Sequence, residues 1–325
     1  MTSTPVSGTE IRGFRAGDGP PLVAAWCRSA PADPITPDRF RSLVLLDANF
    51  DPEGLRVAVT DGRLTGAAYA VRRLTPMSGT DLEPEQGWIP FFFVDPAARG
   101  QGLGRLLLTD ALGWLGAHGR TTVDFSSYTP NYLLPGLDAE TYPEAAELLG
   151  SLGFRTLYEA AAMDRSLVGH RMPEAVARRR DELTYRGFRF TTPADDDLVE
   201  LIALAGNRFN PDWARAIREC LAAGTPPDRI VVAREPAGRL VGWAMHGAYE
   251  SRAERFGPFG VLEEMRGTGL GTVLLHLVLE RMRAGGAHGA WFLWTGERSA
   301  AGRLYRAAGF TTTRRFRVLR REPVR

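Results

Sequence analysis

Lysine is missing from this chain: all 40 of its basic residues are arginine. The absence removes two classes of chemistry. A nucleotide-hydrolysing P-loop needs a lysine to reach the phosphates, and a pyridoxal enzyme needs one to form its Schiff base. A GC-rich genome accounts for the bias without any mechanism. Cysteine is nearly as scarce. Cys27 and Cys220 stand far apart with no CxxC pair, the pattern of reduced cytosolic thiols rather than of a disulfide framework. His118, His170, His246, His276 and His288 include no HExxH pair and no cysteine at ligand spacing, so no metal is expected. No apolar run nears the ~20 residues of a membrane span. The opening MTSTPVSGTE lacks the charged-then-apolar order of a signal peptide. A net charge of +2, with no basic block outside an arginine-rich linker and the tail, argues against nucleic acid. These absences predict a soluble cytoplasmic protein with no nucleic-acid or membrane partner, as a monomer or homodimer.

What is present is a repeat. The chain of 325 residues is long enough for two domains. VDPAARGQGLGRLLL (Val94–Leu108) returns as VLEEMRGTGLGTVLL (Val261–Leu275). Each copy ends an apolar run, turns through Arg-Gly-x-Gly-Leu-Gly and opens into a leucine-rich helix. The flanking patterns match as well. Leu55–Thr60 and Leu64–Val71 read as a hairpin across Asp61-Gly62, and Ile230–Arg234 with Arg239–Met245 as its counterpart. Buried strands are predicted over Trp88–Val94 and Phe256–Val261, and further strands over Thr121–Phe125 and Trp291–Thr295. Both halves then reach Gly-Phe, at Gly153-Phe154 and Gly309-Phe310. Between the glycine turn and the Gly-Phe pair the first half is 11 residues longer, and part of that excess lies in Ser126–Thr141. The expected division is a domain over 1–167, a helical linker over 168–183 and a domain over 184–325.

Three readings of the glycine turn compete. A dinucleotide fold needs GxGxxG with an acid about 20 residues on. Here Gly100, Gly102 and Gly104, and Gly267, Gly269 and Gly271, follow GxGxG, and Arg105 or Thr272 would replace the third glycine. Glycines that only cap a helix are common, but not twice with an arginine at the same offset. The third reading is a diphosphate cradle, in which side-chain-free turns let backbone N–H groups and a helix N-terminus converge on the anion. Arg99 and Arg266 at the loop entrances would add charge-assisted bonds.

The order of buried strand, Arg-x-x-Gly-x-Gly, amphipathic helix, strand, helix and Gly-Phe resembles the GNAT superfamily of acyl-CoA N-acyltransferases, and it does so twice. The resemblance implies an α/β fold of two tandem domains, each a mixed, largely antiparallel sheet splayed after its fourth strand. It implies acetyl-CoA as co-substrate, with its diphosphate on Arg99, Gly100, Gln101, Gly102, Leu103 and Gly104, and on Arg266, Gly267, Thr268, Gly269, Leu270 and Gly271. The strand backbone at Val94 and Val261 would pair with pantetheine. The tandem arrangement is similar to that of mycothiol synthases and some amino-sugar acetyltransferases, and a small-molecule amine is the acceptor class expected here.

Aminolysis of a thioester needs a proton for the departing thiolate, a role that suits a tyrosine. The family's Leu-Tyr-x-x-x-Gly-Phe pattern places Tyr305 there in the second half and Leu149 in the first. Catalysis is therefore expected in the second domain, and silent or weak coenzyme binding in the first. The asparagine often found seven residues before the tyrosine is replaced by Arg298 and Tyr142. Glu254 is the candidate base, with Glu250 and His246 as alternatives. Trp243, Trp291 and Trp294 are expected to line the acceptor cleft, and Tyr128, Tyr132 and Asp138 to offer acceptor contacts in the first domain. An acyl-CoA-binding regulatory protein without catalysis is the rival expectation.

Overall fold

The computed structural model describes residues 8–77 and 79–323. Residues 1–7, part of the stretch without a signal pattern, lie outside it. The chain runs β1 (Thr9–Gly13), α1 (Gly19–Ser29), α2 (Pro37–Phe40, continued by a π turn over Arg41–Leu45), β2 (Leu55–Thr60), β3 (Arg63–Val71), β4 (Gln86–Val94), α3 (Leu103–Ala117), β5 (Thr122–Phe125), α4 (Pro143–Ser151) and β6 (Arg155–Ser166). It continues through α5 (Glu174–Tyr185), β7 (Arg189–Thr191), α6 (Asp197–Arg208), α7 (Pro211–Ala222), β8 (Ile230–Arg234), β9 (Leu240–His246), β10 (Phe256–Val261), α8 (Leu270–Ala284), β11 (Gly289–Thr295), α9 (Ala300–Ala307) and β12 (Thr311–Arg321).

Two compact units share this chain. One takes the sequence up to Pro76, Thr80–Ala160 and the segment from Phe316 onward; the other takes Ala161–Arg315. The division differs from the one expected at 167 and 183 because two long strands change units midway. The reason is pairing. The end of β6 joins the second unit, where Gly289 lies opposite Ser166 and Phe292 opposite Met163. The end of β12 joins the first unit, where Leu319 lies opposite Phe125 and Arg321 opposite Val123.

In the first unit β1 to β4 pair antiparallel in sequence order, and β5 adds parallel to β4. The β2–β3 turn uses Asp61 and Gly62, both at positive φ, as a two-residue hairpin requires. One face of the sheet packs on α3 through Leu103, Leu107, Leu108, Ala111 and Leu115, an i, i+4, i+8 stripe of the kind that buries one side of a helix. The other face meets α1 and α2 through Leu22, Trp26 and Phe40, against Tyr69, Phe91 and Phe93. The extra stretch Ser126–Thr141 is not a loose flap. Tyr128 and Leu133 are buried in this second layer, and the Tyr128 ring lies 5.4 Å from Trp88 on β4.

The second unit repeats the plan. β7, β8, β9 and β10 pair antiparallel. α8 buries Leu270, Val273, Leu274, Val278 and Met282 on one side, and α6 and α7 cover Trp243 and Met245 on the other. The arginine-rich segment expected as a linking helix is α5, whose Leu183 and Val176 join the α8 core. Among the described residues no helix is long and apolar enough to cross a membrane.

Candidate active site

The cleft in each unit begins at a bulge. Between Trp88 and Phe91, β4 carries one residue more than the facing stretch of β3. Between Phe256 and Phe259, β10 carries one more than β9. A proline sits in each irregularity, Pro90 and Pro258, where the missing N–H costs no ladder bond. Beyond it the strands part. β4 stays paired to β3 as far as Val94, but its pairing with β5 stops at Ile89. On the second sheet the pairing with β11 comes just before β10, where Arg255 bridges Trp291 and the Trp291 N–H donates to Glu254 O at 3.0 Å. The Asp95 N–H donates to Thr65 O and the Leu262 N–H to Val241 O. Alternation along a strand then turns the backbone groups of Val94 and Val261 the other way, toward the opening cleft.

Both strands lead through a short 3₁₀ turn into the glycine loops. Gly102 caps α3 at φ 78° and Gly269 caps α8 at φ 83°, neither with a side chain of its own, and at α8 Thr268 Oγ1 accepts the Leu270 N–H at 3.3 Å. Gly100 and Gly267 also have positive φ. An L side chain would be strained at all four positions. A Cβ on Gly100, Gly102 or Gly267 would meet nothing within 4 Å, so these positions are bare and face open space. The first-turn N–H groups of α3 and α8 have no acceptor within their helices, and the helix dipole adds positive potential there. The third glycine does different work. A Cβ on Gly104 would lie 3.1 Å from Leu148, so this glycine lets α4 pack close, whereas one on Gly271 would make only ordinary contacts, 3.5 Å with Phe259 of β10 and 3.6 Å with Leu304 of α9. Leu103 and Leu270 anchor the first helical turn in the core. Thr268 Oγ1 donates to Met265 O at 2.7 Å and holds the second loop in shape. The chemistry of this donor set suits a diphosphate.

The loop arginines are not equivalent. Arg99 donates from Nη2 to Ser29 O at 2.8 Å and from Nε to Val94 O at 3.2 Å. Arg266 reaches Glu263 at 2.5 Å, and its side chain is 66% exposed.

Tyr305 lies on α9 with its ring inside a cage of Phe256, Phe259, Phe292 and Phe310, the closest centroid being Phe292 at 4.4 Å. Burial raises its pKa, so the hydroxyl stays protonated. The matching Leu149 is fully buried against α3.

Glu254 stands just before β10 beside the start of β11. Its Oε1 accepts the His288 and Gly289 N–H groups at 2.9 and 3.2 Å. Glu250 pairs with the buried Arg255 at 3.2 Å. His246 bonds Ala253 O through Nδ1 at 2.7 Å, and burial lowers its pKa; it pins the loop between β9 and β10. Of the three tryptophans expected to line the acceptor cleft, Trp243 is withdrawn into the core. Trp243 is fully buried and packs edge-on to Phe209, because β9 turns it toward α6 and α7. Trp291 stacks beneath Arg255 at 5.6 Å. In the first unit the Tyr128 hydroxyl is bonded to Asn49 Nδ2 at 2.8 Å. Asp138 accepts the Glu140 and Thr141 N–H groups at 3.1 and 3.0 Å as a turn cap. Both side chains are committed to the fold.

One feature escaped sequence reasoning. Asp212 is fully buried, and it accepts from the Tyr249 hydroxyl at 2.9 Å and from Arg215 at 2.8 Å. Arg255 lies over the Tyr249 ring at 4.5 Å. The Asn-Pro-Asp start of α7 signals a helix cap; nothing in it signals the tyrosine.

The pattern of the acetyltransferase (GNAT) family matches residues 23–131 and 195–310, one region in each half. The chain belongs to this family. It is an N-acetyltransferase by that membership and by likeness to mycothiol acetyltransferase of Clavibacter michiganensis subsp. michiganensis, 27% identical over 295 residues covering 87% of this chain and 85% of the relative. Two solved structures share the fold at lower identity. A fungal GCN5-related glucosamine N-acetyltransferase region, within a multi-domain β-N-acetylglucosaminidase, is 20% identical with a TM-score of 0.80 and covers 98% of this chain. This chain spans 38% of that longer protein. A tandem GNAT protein from clavulanic acid biosynthesis is 19% identical, with a TM-score of 0.62, and covers 98% of this chain and all of its own.

Proposed function

We propose that the second unit transfers an acetyl group from acetyl-CoA to the amine of a small molecule by direct attack, while the first unit holds coenzyme without turning it over. The observation that carries the assignment is Tyr305. It supplies a hydroxyl that burial keeps protonated, beside the parting of β10 and β11, where the first unit offers only Leu149. The loop Arg266–Gly271 and the N-terminus of α8 hold the diphosphate, and the exposed Val261 edge aligns the pantetheine arm. Acetyl-CoA, when bound, supplies the thioester carbon that the amine attacks. Tyr305 donates its proton toward the leaving sulfur. Glu254, anchored through Oε1, takes the amine proton on Oε2. In the first unit the Val94 carbonyl is bonded by Arg99, and Tyr128 and Leu133 fill the layer behind β4.

Glucosamine and a mycothiol-type amine, the chemistries named by two of the relatives, head the acceptor panel. Thiol release from acetyl-CoA should depend on one of these amines and vanish without it. Coenzyme binding by calorimetry with no amine-dependent release across amino sugars, aminoacyl compounds and polyamines would reject the small-molecule acceptor.

A further inference from the structure

The second glycine loop is not served by its own residues alone. Arg179, on α5, crosses from a separate helix onto the loop and donates from Nε to the Thr268 carbonyl at 2.6 Å. Its Cγ and Nε both stand 2.9 Å from where a Cβ on Gly269 would be. Gly269 is thus required twice, by its positive φ and by the passage of this side chain. Glu182, one turn along α5, fixes Nη1 at 2.7 Å. Nη2 meets no acceptor among the described residues, and the side chain is 35% exposed. The first loop has no such visitor: a Cβ on Gly102 would touch nothing.

We propose that Arg179 is a coenzyme-binding residue of the second unit, a second guanidinium that takes a phosphate of acetyl-CoA alongside Arg266. The inference rests on the coenzyme site assigned above to Arg266–Gly271. Its physics is that of a pre-aimed charge. Two of the nitrogens of Arg179 are spent on holding the fork in place, so little rotamer entropy is lost when the third meets an anion. The α8 N-terminus lends its positive end to the same spot, and the bond that Arg179 donates to the Thr268 carbonyl ties its side chain to the loop. The phosphate met is one of two: the diphosphate on the loop, or the 3′-phosphate of the ribose beside it.

The test compares wild-type enzyme with Arg179→Gln and Arg179→Lys, using acetyl-CoA and its analogue lacking the 3′-phosphate. Arg179→Gln should raise the KM for acetyl-CoA roughly ten-fold with kcat within about two-fold, and the lysine variant should recover part of the loss. The wild-type KM should also rise more steeply with salt than that of the glutamine variant. A penalty that persists with the analogue assigns the diphosphate; one that disappears assigns the 3′-phosphate. A KM that is unchanged or lowered in Arg179→Gln, with the melting temperature preserved, overturns the proposal, since a bystander leaves KM alone and an obstructing latch lowers it. Arg266→Ala separates the two levels. If it raises KM while Arg179→Gln does not, only the present inference fails. If neither matters, the coenzyme site itself is wrongly placed.

Discussion

Arg99 folds back to bond the carbonyl of Val94, at 3.2 Å, the residue five positions earlier on the strand edge that opens into the cleft. Arg266, at the same offset behind Val261, leaves its strand carbonyl alone and pairs with the exposed Glu263. Two sequence motifs that look alike therefore differ in which arginine is free to move. Arg266→Ala should raise the acetyl-CoA KM roughly ten-fold, the loss of one charge-assisted bond. Arg99→Ala should leave turnover unchanged and cost about 1 kcal/mol of stability. Steady-state kinetics and urea unfolding of the two variants check both halves; equal kinetic effects would mean that both cradles feed the reaction.

Tyr305 separates chemistry from packing. Removing only its oxygen, in Tyr305→Phe, keeps the ring among Phe256, Phe259, Phe292 and Phe310. The variant should lose roughly 10- to 100-fold in kcat with the acetyl-CoA KM within about two-fold. Tyr305→Ala should instead lose about 3–5 kcal/mol of stability. Wild-type turnover by the phenylalanine variant would leave the residue as a core aromatic.

Glu254 has one oxygen committed and one to spare. Glu254→Gln keeps an acceptor for the His288 and Gly289 N–H groups, so the start of β11 should stay in place. A base on Oε2 would be lost, so kcat should fall roughly 10- to 100-fold while the melting temperature holds. Steady-state kinetics beside a melting curve decides: wild-type kcat makes Glu254 a strand cap and moves the search for a base elsewhere.

The parts of this architecture that a local pattern dictates were legible in the sequence. Asp61-Gly62 marked its hairpin, Gly102 and Gly269 marked helix starts, and the leucine spacing behind them marked a buried face. What local pattern does not carry is partnership. Apolar alternation says that Trp243 is on a buried face of β9 but not that α6 and α7 supply the cover. Nothing near Arg179 announces Thr268, 89 residues away. The exchange of β6 and β12 was hidden for the same reason, since a strand's length is readable while the sheet it joins is set by pairings with strands far along the chain, such as Ser166 with Gly289 and Phe125 with Leu319.

Stability should fall in mild acid. His276 on α8 is buried, its ring 5.5 Å from that of His170. Burial, with His170 and Arg165 nearby, lowers its pKa from 6.5 to about 4. His170 is lowered too, by burial first and then by Arg165 and Arg283, against an opposing pull from Glu280. A histidine whose folded pKa is depressed stabilises the fold fully above the unfolded value. The contribution is lost as pH drops from about 6.5 toward 4, because the unfolded chain takes up the proton first. The loss for His276 is on the order of 3 kcal/mol across that window. Urea midpoints at pH 7.5 and pH 5 should therefore differ more in the wild type than in His276→Leu; parallel shifts would show that these rings titrate normally.

The strand exchange makes the last residues of the chain part of the first fold. Arg320 grips Asp124 on β5 through two bonds of 2.7 and 3.0 Å, and Phe316 and Val318 are buried on the way. Asp124 is nearly inaccessible, so Arg320→Ala strands a carboxylate; with the arginine itself about one-third exposed, the cost should be about 2 kcal/mol rather than the full value of a buried pair. Ending the chain after Arg315 should go further. It removes the strand that covers β5 and leaves its backbone edge unpaired, while β11 keeps its partner in β6. Limited proteolysis should then cut first within Thr80–Ala160 and spare Ala161–Arg315. Cleavage that begins instead around α8 or β11 would show that β12 belongs to the second fold alone.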